Sequence, residues 1–250
     1  MSTSVKKIVI IGATSSMAEH CARLWVAQGP VALTLVGRDR ARTESVAADL
    51  RVRGAVSVGV ETVDFGDVRA IAALADSASA AEAVDCVLIA HGSLPEQATC
   101  QRDLAACEEA LGVNGLSPVL FAEAFATGME RAGRGTIVII GSVAGDRGRR
   151  SNYVYGAAKG MVTRYAQGLQ HRFAGSAVKV VLVKPGPTDT PMTAHLKQGG
   201  SKLASVEEVA RAIVAGAQAG KPVVYAPRKW EVIMMVIRHL PAFVFNKMNI

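Results

Sequence analysis

Ile8-Val9-Ile10-Ile11-Gly12-Ala13-Thr14-Ser15-Ser16-Met17-Ala18 is the stretch on which the fold turns. Four β-branched residues in succession leave no polar face. They suit a strand covered on both sides, as in a parallel sheet. Gly12 stops the run, and helical spacing follows at Met17, Cys21, Leu24, Trp25 and Gln28. A sharp turn from buried strand to helix points backbone N–H groups and the positive end of the helix dipole at a phosphate. The turn holds only one glycine, so its weight comes from its place after the first strand.

The alternation continues outward. Val31 to Val36, Val56 to Val63, Cys86 to Ala90, Thr136 to Ile140, Val178 to Val183 and Pro222 to Ala226 read as strands. Between them lie a charged helix through Leu50, helical patterns over 101–131, a long helix over 152–173, and a helix opened by Ser205-Val206-Glu207-Glu208 that runs to about Ala219. Seven strands alternating with helices predict an α/β, doubly wound (Rossmann) parallel sheet with helices on both faces. No linker or repeat divides the chain. One catalytic domain over 1–227 is expected, with an amphipathic tail over 228–250.

The chain has 250 residues, half of them hydrophobic, a net charge of +7 and four cysteines. That supports a large core and argues against disorder. The basic surplus favours anionic partners, yet no nucleic-acid motif accompanies it, and none is expected to bind. Cys21, Cys86, Cys100 and Cys107 form no CxxC pair, and no His cluster has metal-ligand spacing, so free thiols in a reducing compartment and no metal are expected. Residues 1–12 lack a signal-peptide pattern, and no run reaches the roughly 18 apolar residues of a spanning helix. A cytoplasmic protein is expected, with peripheral contact to the inner membrane face left open.

Strand 2 ends in Val36-Gly37-Arg38-Asp39. That end meets the adenosine ribose in dinucleotide folds. An acid there bonds the 2′-hydroxyl of NAD, and an arginine accommodates the 2′-phosphate of NADP. Arg38, with Arg40 and Arg42 behind it, favours NADP(H); Asp39 keeps NAD(H) open. Tyr155 and Lys159 stand four residues apart on one helical face. An ammonium beside a phenol favours phenolate and would bring the tyrosine toward use as an acid or base near neutrality. Ser142, after the strand ending at Ile140-Gly141, can donate to a substrate carbonyl. Asn114 is a poor helix former inside a helical stretch, where a polar side chain or a loosened carbonyl could hold a water.

Gly12-x3-Ser16-x-Ala18, Asp64, Asn114, Ser142, Tyr155-x3-Lys159 and Pro185-Gly186-Pro187-Thr188-Asp189-Thr190 together resemble the short-chain dehydrogenase/reductase family. Their order and separations agree to about residue 227, including the thirteen positions from Ser142 to Tyr155. The resemblance implies that Tyr155 passes a proton to the substrate oxygen and that Ser142 polarises the carbonyl. It implies that Lys159 bonds the nicotinamide ribose and lowers the Tyr155 pKa, and that Asn114 places a water in a relay through Lys159. It assigns cofactor contacts to Gly12, Thr14, Ser15, Ser16, Met17, Arg38, Asp64, Phe65, Ala90, Gly92, Tyr155, Lys159, Pro185, Gly186, Thr188 and Thr190. It also implies a homodimer or homotetramer. Two features depart from the family. Ser16 and Ala18 stand where glycine is usual, and Ile89-Ala90-His91-Gly92 replaces Asn-Asn-Ala-Gly, so Ala90 lacks a stabilising side-chain bond. A packing role on the cofactor side is expected for His91.

Residues 146–155, 192–197 and 234–241 look like the reductases that act on decaprenylphosphoryl-2-keto-erythro-pentose, which complete the epimerisation of a lipid-linked ribose to arabinose. That likeness implies a keto-sugar on a polyprenyl phosphate. Guanidinium groups suit phosphate, so Arg147, Arg149 and Arg150, between Ser142 and Tyr155, are candidate substrate contacts, with His195 and Lys197 in the segment beyond the Pro-Gly motif. The tail carries Trp230, an apolar run over 232–237 and Phe243-Val244-Phe245, flanked by Arg228, Lys229, Arg238 and Lys247. It cannot span a bilayer. It can lie in a membrane interface or cover a neighbouring subunit. Two other readings stay open: a reductase of a soluble ketone such as a 3-oxoacyl thioester or a steroid-like ketone, and a non-catalytic cofactor sensor.

Overall fold

Period-two alternation along the strands decides which helical layer each apolar side chain serves. The computed structural model describes residues 4–80, 82–194 and 202–248. Seven strands form one all-parallel sheet: β1 (Lys6–Ile11), β2 (Val31–Gly37), β3 (Ser57–Thr62), β4 (Cys86–Ile89), β5 (Gly135–Ile140), β6 (Val178–Pro185) and β7 (Val223–Ala226). Their order is β3-β2-β1-β4-β5-β6-β7, so the doubly wound expectation holds. The chain reverses direction across the sheet between β1 and β4, and a crevice opens there at the carboxyl ends of the strands.

Ile8, Ile10, Leu33, Leu88, Val138 and Val181 face one layer, with Trp25 of α1 (Ser16–Gln28) and Leu50 of α2 (Arg40–Val52). Val9, Ile11, Val87, Ile137 and Leu182 face the other, with Ile71 of α3 (Val68–Ala80). The next helices are α4 (Gln97–Arg102), α5 (Leu104–Leu111), α6 (Ser117–Ala132) and α7 (Tyr153–Arg172). Phe121 and Phe125 of α6 and Val162 of α7 complete the second layer. Leu104–Ala132 is long and apolar enough by composition to pass for a membrane span, contrary to the sequence expectation. Its large side chains Phe121, Phe125 and Met129 are nevertheless spent on the sheet.

α8 (Val206–Ala219) starts as its sequence predicts. The Ser205 hydroxyl accepts from Glu208 N at 3.1 Å, and Ile213 and Ala217 join the first layer. Cys86 lies in the core, and Cys21 and Cys100 are also buried. The tail is helical: α9 (Lys229–His239) and α10 (Ala242–Phe245). Met234 is fully buried, so α9 is seated on the domain.

Candidate active site

Gly12 takes φ +78°, and a Cβ there would lie 2.6 Å from the backbone nitrogen of His91. Glycine therefore lets β1 and β4 end side by side, leaving room in front of α1. Ser15 caps α1 by position but makes no side-chain cap bond, so the first N–H groups of the helix stay available to a pyrophosphate. The residues present thus fit a dinucleotide, although Ser16 and Ala18 replace two glycines.

A cavity of about 370 Å³ opens beside this turn. It gathers Ser15, Met17, Ala90, Gly92, Asn114, Ser142, Arg149, Tyr155, Lys159, Pro185, Gly186, Thr188 and Thr190 of the residues expected from sequence. Thr14 instead lines a second recess with Arg23, Arg42 and Asp49, and Ser16 opens α1. Arg38 is exposed at the end of β2, 6.0 Å from the ring centre of Phe65. Asp39 is occupied as the cap of α2, accepting from Arg42 N at 3.1 Å. Asp64 accepts from Gly66 N at 2.9 Å, and the Phe65 ring turns inward onto His91 and Phe121.

The catalytic groups converge from three elements. Ser142 follows β5, is buried, and accepts from Ala144 N at 3.1 Å. Tyr155 is half-buried in the first turn of α7. Burial pushes its phenol above the ordinary value, and a hydrogen bond from Ser142 pulls it back down. Lys159, one turn on, is almost fully buried. Its Nζ donates to the Ile140 carbonyl at 3.0 Å and lies 5.9 Å from the Tyr155 ring centre. Burial lowers its pKa to about 8. The expected lowering of Tyr155 by Lys159 is therefore corrected for the chain alone, because the ammonium is turned to a carbonyl and desolvation dominates both groups.

Asn114 explains its odd place in a helix. Residues 112–116 form a π-helical turn between α5 and α6. The side chain is fully buried: Nδ2 donates to Ala110 O at 2.9 Å and to Ser93 Oγ at 3.2 Å, and Oδ1 accepts from Ser93 N at 2.9 Å. Asn114 thus ties the Gly92-Ser93 loop to the helix, and the widened turn is where backbone carbonyls loosen. His91 packs as expected. Its Nε2 shares a hydrogen bond with Ser117 Oγ at 2.9 Å, and burial drives its pKa to about 3, so the ring is neutral.

The arginine loop divides. Arg149 lines the cavity, whereas Arg147 faces the tail. Arg147 Nη1 donates to Ile237 O and Leu240 O, each at 2.6 Å, and its guanidinium stacks 3.8 Å from the Phe245 ring centre. Arg150 is exposed, and His195 and Lys197 lie outside the described residues. Sequence reasoning missed four participants: Ser93, Gln97, Asn152 and Trp230. Trp230 of α9 lies over the Pro-Gly turn, where a Cβ on Gly186 would fall 1.9 Å from its indole nitrogen. Its tail position among basic residues suggested contact with a membrane or a neighbouring subunit, and only the fold brings it to Gly186.

A parallel sheet with a phosphate cradle at the switch point, and a Ser-Tyr-Lys cluster beside it, defines an oxidoreductase of the nicotinamide-dependent class. The chain belongs to the short-chain dehydrogenase family, whose profile matches residues 6–200, and it is an NAD(P)-dependent dehydrogenase/reductase. It is 31% identical over 247 residues, 98% of each chain, to an uncharacterised oxidoreductase of Mycobacterium tuberculosis. It is 31% identical over 217 residues to the cis-4-hydroxycyclohexanecarboxylate dehydrogenase of Sinomonas cyclohexanicum, covering 82% of this chain and 86% of that one. Among solved structures, a short-chain dehydrogenase from Burkholderia cenocepacia in complex with NADP superposes with a TM-score of 0.83 over all of both chains at 18% identity.

Proposed function

We propose that this enzyme reduces a ketone on a sugar carried by a polyprenyl phosphate, using NADPH. The observation that carries the lipid-linked reading is the face of α9 and α10. Val232 is 61% exposed, Val236 53% and Phe243 71%. Arg228, Lys229, Arg238 and Lys247 lie exposed in the same tail, against the single acid Glu231. Exposed aromatic and aliphatic groups on a cationic segment suit an anionic bilayer surface. Trp230 and Arg147 connect this face to the Pro-Gly turn and the catalytic loop, so a substrate held at a membrane would meet the cavity. The name of the Sinomonas relative, a dehydrogenase of a ring alcohol that bears a carboxylate, supports an anionic cyclic substrate.

NADPH is favoured over NADH because Arg38 is exposed at the end of β2 while Asp39 is committed to capping α2. When bound, the nicotinamide supplies or accepts the hydride at the substrate carbon. The chain's own groups handle the rest. Ser142 holds the carbonyl oxygen, Tyr155 donates its proton to that oxygen, and Lys159 holds the ribose hydroxyls and keeps the phenol in place. Asn114 is a positioning residue that acts through the Gly92-Ser93 loop.

In flotation with phosphatidylglycerol vesicles, the wild type is expected to float, less so at high salt. The Val236→Glu/Phe243→Glu variant should bind at least about tenfold more weakly, since both side chains lose apolar burial. If the wild type does not float and the variant instead dissociates an oligomer in size-exclusion chromatography, the face belongs to a second copy and soluble ketones become the substrates to test.

Lys159 gives a pH prediction. Its folded value of about 8 makes the ammonium the main form below pH 8 and the neutral amine above it. If the ammonium holds the ribose, NADPH affinity is flat below pH 8 and weakens by up to about tenfold per pH unit above it, with proton uptake on binding near pH 8. Calorimetry in buffers of different ionisation heat measures that uptake. Lys159→Met should abolish it, and persistence of the uptake in that variant would assign it to another group.

A further inference from the structure

We infer that Arg149, Gln97 and Asn152 form a subsite for an anionic group next to a hydroxyl, in the cavity that also holds Ser142 and Tyr155. This deepens the reading above and rests on it. Among the described residues, five buried side-chain nitrogen and oxygen atoms lack a hydrogen-bond partner, and four belong to these three residues: Arg149 Nε and Nη2, Gln97 Nε2 and Asn152 Oδ1. Each such atom costs about 1–3 kcal/mol when left unpaired, so their concentration in three residues of one cavity points to a ligand that completes them. All three residues line the cavity that holds Ser142 and Tyr155.

The chemistry of the four atoms specifies the ligand. Nε and Nη2 form the side-on edge of a guanidinium, which matches two oxygens of a phosphate or carboxylate. Burial lowers the Arg149 pKa, as expected for a cation short of a counter-charge. Asp146, the acid that opposes this, is committed to Lys184 and Tyr225. The Gln97 amide has a fixed sense, because its Oε1 accepts from Val154 N at 3.1 Å and leaves Nε2 as a donor. Asn152 stands at the start of α7 but makes no side-chain cap bond, leaving Oδ1 as an acceptor. One donor and one acceptor together suit a hydroxyl, which can accept from Gln97 and donate to Asn152. A neutral ketone without hydroxyls would leave all four atoms unpaired, and such sites discriminate strongly. The substrate class is therefore a hydroxylated ketone, or its alcohol, carrying a phosphate ester or carboxylate.

The test uses full-length protein saturated with NADPH, which fills the cofactor phosphate sites and prevents turnover of an alcohol. Calorimetry then measures ribose 1-phosphate, ribose, inorganic phosphate and cis-4-hydroxycyclohexanecarboxylate. Ribose 1-phosphate should bind tightest. Arg149→Met should weaken it about ten- to a hundredfold, to the level of ribose. Asn152→Ala should weaken ribose and ribose 1-phosphate several-fold while leaving inorganic phosphate unaffected. Failure of the wild type to bind ribose 1-phosphate overturns the inference, as does binding that Arg149→Met leaves unchanged. So does equally tight carboxylate binding together with sugar binding that ignores Asn152→Ala, which would leave an anion contact alone. Reduction of cyclohexanone by the wild type is followed in parallel at concentrations high enough to offset its missing subsite contacts, so failure of the ketone-reductase reading is seen separately from failure of the subsite.

Discussion

Tyr155→Phe is expected to cut ketone reduction by about 10²- to 10⁴-fold while leaving NADPH affinity within about twofold. The substitution removes one oxygen and keeps a ring that is half-buried in the first turn of α7, so fold and cavity shape survive. What disappears is the proton donor. Burial holds the Tyr155 phenol above its ordinary value, and the Ser142 hydroxyl partly offsets that. At neutral pH the group is therefore protonated and ready to give its proton to a carbonyl oxygen. Single-turnover oxidation of NADPH against a panel of ketones, with the affinity for NADPH measured on the same preparation, separates chemistry from binding. If the variant kept more than a tenth of the wild-type rate, the proton would come from elsewhere, and Lys159 or a bound water would have to supply it.

Most of the frame that places Tyr155 was legible in the sequence because it depends on local pattern. Runs such as Ile8–Ile11 and Ile137–Ile140 are too apolar to be anything but covered strands, and the period of two sorts their side chains between layers. The Tyr155–Lys159 spacing is likewise a property of one helix. Arg147 was not legible. It sits two residues from Arg149 in the same basic loop, yet one guanidinium meets tail carbonyls ninety residues on and the other meets the cavity. Composition reports charge and cannot say which way a loop turns it. Gln97 and Asn152 were hidden for a similar reason. Their meaning lies in unmet hydrogen bonds, which exist only once α4 and the start of α7 come together. The sign of the Tyr155 shift also needed the fold, because spacing registers a neighbouring ammonium but not that Lys159 turns to the Ile140 carbonyl or that burial sets the shift.

Replacing Asp146 alone is expected to be the most destabilising single change in the neighbourhood of the site. Its carboxylate forms an ion pair with Lys184, with both side chains 4% or less exposed, and accepts from the Tyr225 hydroxyl at 2.8 Å. Burial, followed by the bond to Asp146, raises the Tyr225 pKa and keeps that phenol a donor. One carboxylate thus joins the turn after Ser142 to β6 and β7, and Arg147, the next residue, joins the same turn to α9. Asp146→Ala leaves Lys184 charged and unpaired in a dry site, at a cost of about 3–5 kcal/mol, a large share of the stability of an ordinary domain. Lys184→Met should cost less, because the carboxylate keeps Tyr225. In the double variant Asp146→Leu/Lys184→Met no charge is stranded, and more than half of the loss should return. Urea unfolding of the four proteins measures this coupling. Additive losses would show that the pair is not what holds the turn. Truncation after Pro227 cannot serve as a clean test of the tail for the same structural reason: it would remove buried Met234 and both carbonyls that Arg147 binds, so the enzyme would lose the support of its catalytic turn along with its surface.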